Sequence, residues 1–138
     1  MGRLFLDANV FLYAVGGDSP HRESCRALLA AMAAGRIDAV TSSEVLQEVL
    51  HVSARRRGVA DGIAATRAAA GLVAEVLPLK GPDVLAACEV LEEAPRLGAR
   101  DAFHVAVMRA AGLTTMVSVD RDFDDVPGLT RVDPADAV

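Results

Sequence analysis

Short apolar runs alternate with longer segments of helical periodicity, and this alternation limits the folds open to the chain more than any other feature. The runs have the length of buried strands and occupy 3–6, 37–40, 76–79 and 115–119, with 129–132 as an optional edge strand. Strands separated by helical segments pair in parallel, because a long crossover must carry the chain back. The sequence therefore predicts an α/β fold, a three-layer α/β/α sandwich with a mostly parallel central sheet of four to five strands.

Helix signals fill the intervals between these runs. Ser19 and Pro20 begin a helix that Gly35 ends. Thr41 forms a predicted capping box with Glu44 at the start of the next helix, which continues to residue 55. Further helices are predicted over 61–75, 82–93 and 101–111.

Length and composition restrict the class of protein. The 138 residues fit one domain, 1–138, because two cores of this total size would both be small. Hydrophobic residues make up 52% and charged residues 24% of the chain, which excludes disordered, collagen-like and coiled-coil proteins. No run approaches the roughly 18 apolar residues of a membrane span, and we find no signal peptide. We therefore expect a cytoplasmic protein without membrane contact.

The charge balance limits how the chain can bind nucleic acid. A net charge of −5 and an aromatic content of 4% disfavour broad electrostatic capture and an aromatic platform for single strands. Contact with RNA must then come from a local basic patch, for which Arg55, Arg96 and Arg100 are the candidates. Arg55 belongs to a run of three arginines that also suits a helix C-terminus, where cations complement the macrodipole.

Four acidic residues are predicted to converge at one edge of the sheet. Asp7 and Asp120 follow strands, and ligands of parallel sheets bind beyond the strand carboxyl ends, where strand order reverses. Asp101 opens a helix after the 96–100 loop, and Glu48 lies in the second turn of the helix after the second strand. Like charges this close repel one another, so the cluster implies a hard divalent cation, Mg²⁺ or Mn²⁺. The chemistry indicated is metal-assisted hydrolysis of a phosphodiester.

Three of these acids also have an ordinary structural explanation. Asp7 could cap the turn after its strand, and Asp101 suits the first turn of a helix. Asp120 begins the acidic segment 120–125, which is typical of a solvated loop.

Two neighbouring choices depend on local geometry. Glu44 and Glu48 lie one turn apart on nearly the same helix face, and we choose Glu48 because Glu44 serves the predicted capping box. Ser118 lies on the same side of its strand as Asp120, where its hydroxyl can bond a carboxylate or a metal-bound water.

Four motifs follow one another along the chain: LFLDANVFLYA, TSSEVLQEVL, RDAFHVA and VSVDRDF. They contain, in order, Asp7 with Asn9, Ser42 with Glu48, Asp101, and Ser118 with Asp120. In order and spacing they resemble the motifs of the PIN-domain ribonucleases, and among these the VapC-type toxins of toxin–antitoxin pairs. The resemblance extends over nearly the whole chain.

The resemblance implies a PIN-like fold and a Mg²⁺- or Mn²⁺-dependent endoribonuclease whose metal site is formed by Asp7, Glu48, Asp101 and Asp120. Cleavage would leave a 5′-phosphate and a 3′-hydroxyl. The groups implied to support the site are Asn9, Ser42 and Ser118, with Asp122 as a water-mediated contributor held in reserve. The resemblance further implies the toxin of a type II pair, a homodimer, and neutralisation by a cognate VapB-like antitoxin.

Three alternative hypotheses keep the acids and change the function. The first is a carboxylate-bridged di-iron bundle, because Glu48 with His51 and Asp101 with His104 form the i, i+3 pairs of such bundles; these bundles contain no sheet. If this hypothesis is wrong, both histidines are packed or hydrogen-bonded helix residues. A Mg²⁺-binding receiver module would need adjacent acids after the first strand, where Asp7 stands alone. A PIN-like module that binds without catalysis is the third.

Overall fold

The computed structural model describes residues 2–138. In this range the chain forms five β-strands and six α-helices, with 3₁₀ segments at Arg121–Asp125 and Pro134–Asp136. The elements in chain order are β1 Leu4–Leu6, α1 Ala8–Val15, α2 Arg22–Ala33, β2 Ala39–Ser42, α3 Ser43–Arg57, α4 Val59–Leu72, β3 Val76–Leu77, α5 Gly81–Glu93, α6 Ala99–Ala110, β4 Thr115–Val117 and β5 Thr130–Val132.

All neighbouring strands of the sheet are parallel, in the order β3-β2-β1-β4-β5. Phe5 in the central strand stands opposite Val40 on one side and Met116 on the other. The predicted α/β class with a parallel sheet is confirmed, and the sheet has all five strands. A central sheet contradicts the di-iron bundle, and this strand order differs from the 2-1-3-4-5 order of receiver modules.

The handedness of parallel connections places the helices in two layers. From β1 the chain moves to β2 and then to β3 in one direction, and it then crosses back to β4 in the other. Because such crossovers are right-handed, α1 to α4 cover one face of the sheet and α5 with α6 cover the other. The packing agrees, since α3 lies against α4 and α5 lies against α6.

The core is chiefly aliphatic, and β1, the middle strand of the sheet, runs through it. Leu4, Phe5 and Leu6 are all buried, and so are Val105 to Met108 of α6. Helices cover both faces of a parallel sheet, so the side chains on both sides of β1 are buried. This explains why β1 shows no alternation of polar and apolar residues.

Helix α1 was not predicted. Its residues Ala8–Val15 follow β1 after Asp7 alone, whose carboxylate caps the helix by accepting a hydrogen bond from the Ala8 amide. Leu4 to Val15 is almost continuously apolar, so the 3.6-residue period that marks a helix is hidden in the sequence.

The predicted capping box at Thr41 is wrong by one residue. Strand β2 extends to Ser42, whose hydroxyl caps α3 by accepting a hydrogen bond of 3.1 Å from the Val45 amide. The Thr41 hydroxyl instead donates to the carbonyl of Leu6 at 2.8 Å and ties β2 to β1. Preference for Glu48 over Glu44 must therefore come from the position of Glu48 itself.

Smaller differences concern the other elements. Helix α6 begins at Ala99, so Asp101 lies within its first turn and does not open it. Strand β4 ends at Val117, and Asp120 lies in the following loop, where it caps the 3₁₀ segment. None of the helices within residues 2–138 combines the length and apolar character needed to cross a membrane.

Candidate metal centre at the carboxyl edge of the sheet

The carboxyl ends of β1 and β4 form the point where strand order reverses. These two strands are neighbours in space although most of the chain separates them. Ligands of open parallel sheets bind at such a point, because the connections from adjacent strands leave in opposite directions and open a crevice. Asp7 follows β1 directly, and Ser118 and Asp120 follow β4.

Asp7 is buried, with 4% of its surface exposed. Its Oδ1 accepts a hydrogen bond of 2.8 Å from the Ala8 amide, as the N-cap of α1. Its Oδ2 accepts hydrogen bonds from the Ser118 hydroxyl at 2.7 Å and from the Asn9 side-chain amide at 3.1 Å. These donors fix the carboxylate in one orientation.

Ser118 and Asn9 connect the first turn of α1 to the loop that follows β4. The Asn9 side-chain amide donates to the Ser118 hydroxyl at 2.9 Å, and its carbonyl accepts from the Val119 amide at 3.4 Å. The same hydroxyl accepts from the Asp120 amide at 3.0 Å, which orders the backbone of that residue. Sequence reasoning proposed both side chains as supports of the site, and they lie against Asp7.

Helices α3 and α6 bring three further groups to this edge. Ligand atoms of Asp7, Asp101 and His104 all lie within 4.8 Å of one another. The Nε2 atom of His104 is 3.7 Å from Asp7 Oδ1 and 3.5 Å from Glu48 Oε1. Asp7, Glu48 and Asp101, predicted from three separate motifs, are therefore brought together around one imidazole.

Asp120 and Asp122 do not belong to the group whose ligand atoms lie within 4.8 Å of one another. Asp120 is half-buried, and its Oδ1 accepts a hydrogen bond from the Asp122 amide at 2.9 Å. The Asp122 side chain itself is exposed. Ser42 is fully buried and serves as the N-cap of α3, the helix that carries Glu48.

Bringing several acids together in a buried site raises their pKa values. Burial raises the pKa of the Asp7 carboxyl above its ordinary value. Burial, followed by the charges of the neighbouring carboxylates, raises the pKa of Asp101 to about 7, against the lowering effect of His104. For His104, burial lowers the pKa, but the surrounding carboxylates outweigh burial and hold it above its ordinary value. Without a cation, this edge of the sheet therefore retains protons near neutral pH.

The residues present fit a divalent cation. The donor set consists chiefly of carboxylate oxygens, which are the ligands of Mg²⁺ and Mn²⁺. Glu48 Oε1 and both ring nitrogens of His104 are buried without a hydrogen-bond partner among residues 2–138. Buried polar atoms of this kind are costly unless something satisfies them, and a cation at the carboxylates would replace the retained protons.

A basic cavity lies beside the acidic cluster. It has a volume of about 530 Å³ and is lined by His51, Val52, Arg55, Arg56 and Arg100. Arg100 immediately precedes Asp101, so cavity and cluster adjoin on α6. Arg96, also predicted to contact RNA, instead pairs with Asp125 at 3.0 Å.

His104 is the site residue that sequence reasoning did not assign. It was interpreted as a packed or hydrogen-bonded helix residue, yet it is fully buried and faces the acids. The available signal was its position three residues after Asp101, since residues at i and i+3 share one helix face. His51, the partner in the other i, i+3 pair, is exposed and lies in the basic cavity.

Comparison with known proteins gives consistent results. The model of the family described as PIN domain matches residues 4–129. Ribonuclease VapC13 of Mycobacterium tuberculosis is 39% identical over 131 residues, which cover 94% of this chain and 98% of the relative. Ribonuclease VapC7 of the same organism is 38% identical over 135 residues, which cover 95% of this chain and 91% of the relative.

A solved structure shows the same fold at low sequence identity. It is the VapBC2 complex of Rickettsia felis bound to a DNA fragment from its promoter. The TM-score is 0.74 at 18% identity, over 96% of this chain and 98% of that chain. The likeness supports the fold of the present chain independently of its sequence motifs.

Proposed function

This chain belongs to the PIN-domain family, and from that premise we propose that it is a metal-dependent endoribonuclease that hydrolyses RNA phosphodiester bonds. The observation that carries the proposal is the convergence of Asp7, Asp101 and His104 within 4.8 Å, with Glu48 beside them. Relatives with nearly the same length are named ribonucleases, which supports the choice of RNA as substrate.

In this proposal the cation is Mg²⁺ or Mn²⁺, and its ligands come from Asp7, Glu48, Asp101 and Asp120. When bound, such a cation supplies an acidified water and neutralises the charge that develops on the phosphodiester. Asn9 and Ser118 hold Asp7 toward the cation, and Ser42 fixes the start of the helix that presents Glu48. Cleavage leaves a 5′-phosphate and a 3′-hydroxyl.

The basic cavity is the proposed path of the RNA backbone. Arg55, Arg56 and Arg100 are exposed and form no ion pair within residues 2–138, so their charges are available to phosphates. Phosphate contacts of this kind position a substrate without reading its sequence. A local cavity beside the acids also explains how a chain with a net charge of −5 can hold RNA.

We also propose that the chain is the toxin of a type II toxin–antitoxin pair, neutralised by a cognate VapB-like antitoxin, and that it forms a homodimer. Support comes from the VapC relatives and from the fold shared with a structure described as a VapBC complex. The test is expression of this chain alone and together with any small reading frame found upstream of its gene, where growth arrest by the chain and its relief by the neighbour are expected.

The nuclease proposal is tested with purified protein and a mixed single-stranded RNA pool, in Mg²⁺, in Mn²⁺ and in EDTA. Asp7→Asn and Asp101→Asn are compared with Glu92→Gln, an exposed acid on α5. We expect cleavage that requires metal, is retained in Glu92→Gln, and falls at least about 100-fold in the two site variants, as for loss of a group that stabilises the transition state. Equal cleavage by all four proteins would refute the site, and a metal-binding protein that cleaves no RNA would favour the binding module.

A further inference from the structure

His104 occupies the centre of the acidic cluster although no acid-based account of the site needs it. The side chain is 0% exposed, one turn after Asp101 on α6. Its ring lies near the Phe5 ring of the central strand, with centroids 6.2 Å apart and planes at 41°. The imidazole is therefore enclosed between the core and the carboxylates, and its orientation is restricted by packing.

Glu48 lacks the hydrogen-bond support that Asp7 has. Asp7 has three hydrogen-bond donors, whereas Glu48 Oε1 is buried and has no partner at hydrogen-bonding distance and angle within residues 2–138. The polar atom that faces it is His104 Nε2 at 3.5 Å, which is itself buried and unpartnered. Two orphaned atoms of complementary kind thus face each other, slightly beyond the ordinary 2.7–3.2 Å of an N–H···O bond.

We propose that His104 is a positioning residue, whose Nε2–H is donated to Glu48 Oε1 beside Asp7 and so holds Glu48 at the metal centre. The inference rests on the proposed function for its metal, but it concerns the orientation of an acid and not the reaction. His104 acts through Glu48, because Asp7 keeps its three other donors when the imidazole is removed. Groups that orient metal ligands in this way commonly change metal affinity by 10- to 100-fold.

The experiment measures Mn²⁺ affinity from the electron paramagnetic resonance signal of free Mn²⁺ in titrations of the purified full chain. His104→Leu removes the donor, and His104→Gln keeps an N–H at a similar reach. His21→Gln is the matched control, since His21 precedes α2 and packs against Tyr13, away from the acids. We expect His104→Leu to weaken Mn²⁺ binding about 10- to 100-fold, His104→Gln to restore most of the loss, and His21→Gln to bind as wild type does.

A double-mutant cycle separates positioning from packing. If His104 acts through Glu48, then His104→Leu weakens Mn²⁺ binding no further in a Glu48→Ala background, which removes the acceptor. Additive losses, equal losses for the Leu and Gln variants, or unchanged affinity of His104→Leu would each overturn the proposal. So would nitrogen hyperfine coupling to bound Mn²⁺ that disappears in His104→Leu, because the imidazole would then be a ligand.

The positioning role of His104 can be tested even if one variant does not fold or if the chain is not a nuclease. If His104→Leu does not fold, as judged by circular dichroism, the cycle is run with His104→Asn, whose amide is too short to reach Glu48, and the same lack of additivity is expected. If the wild-type chain binds Mn²⁺ but cleaves no RNA, the proposed function fails while the affinities still decide the role of His104. If it cleaves RNA and His104→Leu binds Mn²⁺ as wild type does, the positioning proposal alone fails.

Discussion

Replacing Asp101 by asparagine should stabilise the metal-free protein and weaken its response to metal. The pKa of Asp101 is about 7 in the folded chain against an ordinary 3.8, because burial and the neighbouring carboxylates disfavour its ionised form. Each tenfold change in proton affinity is worth about 1.4 kcal/mol, so ionised Asp101 costs the fold at most about 4 kcal/mol. Since the side chain is only half-buried, solvent screening reduces the expected gain to about 1–2 kcal/mol.

The pH dependence of this gain follows from proton binding. Between about pH 4 and pH 7 the folded chain holds a proton on Asp101 that the unfolded chain has released, so stability declines as pH rises through this range. The stabilisation by Asp101→Asn is therefore largest above about pH 7 and falls to roughly a third of that value at pH 5. In the presence of a divalent cation the order reverses, because wild type gains RT ln(1 + [L]/Kd) and the variant has lost one ligand.

The assay is thermal unfolding in EDTA at pH 8 and pH 5, followed by titration with Mn²⁺. At pH 8 without metal we expect the midpoint of Asp101→Asn to rise by about 3–8 °C, and that of Glu92→Gln to change little. A lower midpoint for Asp101→Asn in EDTA at pH 8 would show that the carboxylate stabilises the fold, and the electrostatic argument would then be wrong.

Three further predictions concern the framework and the substrate path. Gly62→Ala should lower the free energy of unfolding by about 1–3 kcal/mol, because the added Cβ would lie 2.9 Å from the backbone nitrogen and the Cβ of Ala54. Gly71→Ala is the control: its Cβ meets open space, so the free energy of unfolding should rise by about 0.5–1 kcal/mol. Denaturant unfolding measures both values. Ser42→Ala should lower stability by about 1 kcal/mol through loss of the α3 cap, with Ser24→Ala on α2 as the unaffected control; a loss below 0.3 kcal/mol would contradict the cap. Arg55→Gln and Arg100→Gln should each weaken RNA binding and reduce the steepness of log affinity against log salt by about 0.7. Arg36→Gln, at another cavity, should leave the affinity and its salt dependence unchanged. Equal effects of all three substitutions would refute a localised path.

The fold could be predicted from the sequence because its signals are local and repeated. Apolar runs ending at Asp7 and near Asp120, separated by helical segments, suffice to indicate a parallel sheet with acids at one edge. Helix α1 could not be predicted, because a short helix that is buried on most sides has few polar residues to mark the 3.6-residue period. The Thr41 and Ser42 error arose because both hydroxyls suit a cap, and only the length of β2 decides between them.

The site was less predictable than the fold, for a physical reason. Asp7, Glu48 and Asp101 could be proposed because several carboxylates gathered at one edge of a sheet repel one another and are costly without a cation. The sequence offers no comparable signal for His104, since a histidine on an apolar helix face is equally consistent with packing. Only the three-dimensional meeting of α3 and α6 shows that its unpartnered nitrogen faces Glu48 and Asp7.

The bond between Ser118 and Asp7 joins residues 111 positions apart, and this separation determines when the cluster can exist during synthesis. The loop that carries Ser118 is in turn held by β5, since the Ser118 amide donates to the Val132 carbonyl and Arg131 donates to the Ser118 carbonyl. A growing chain therefore cannot assemble the acids until its fourth and fifth strands have left the ribosome. Fragments that end before β4 lack Ser118 and Asp120, and with them the hydrogen bond that links Asp7 to the loop after β4.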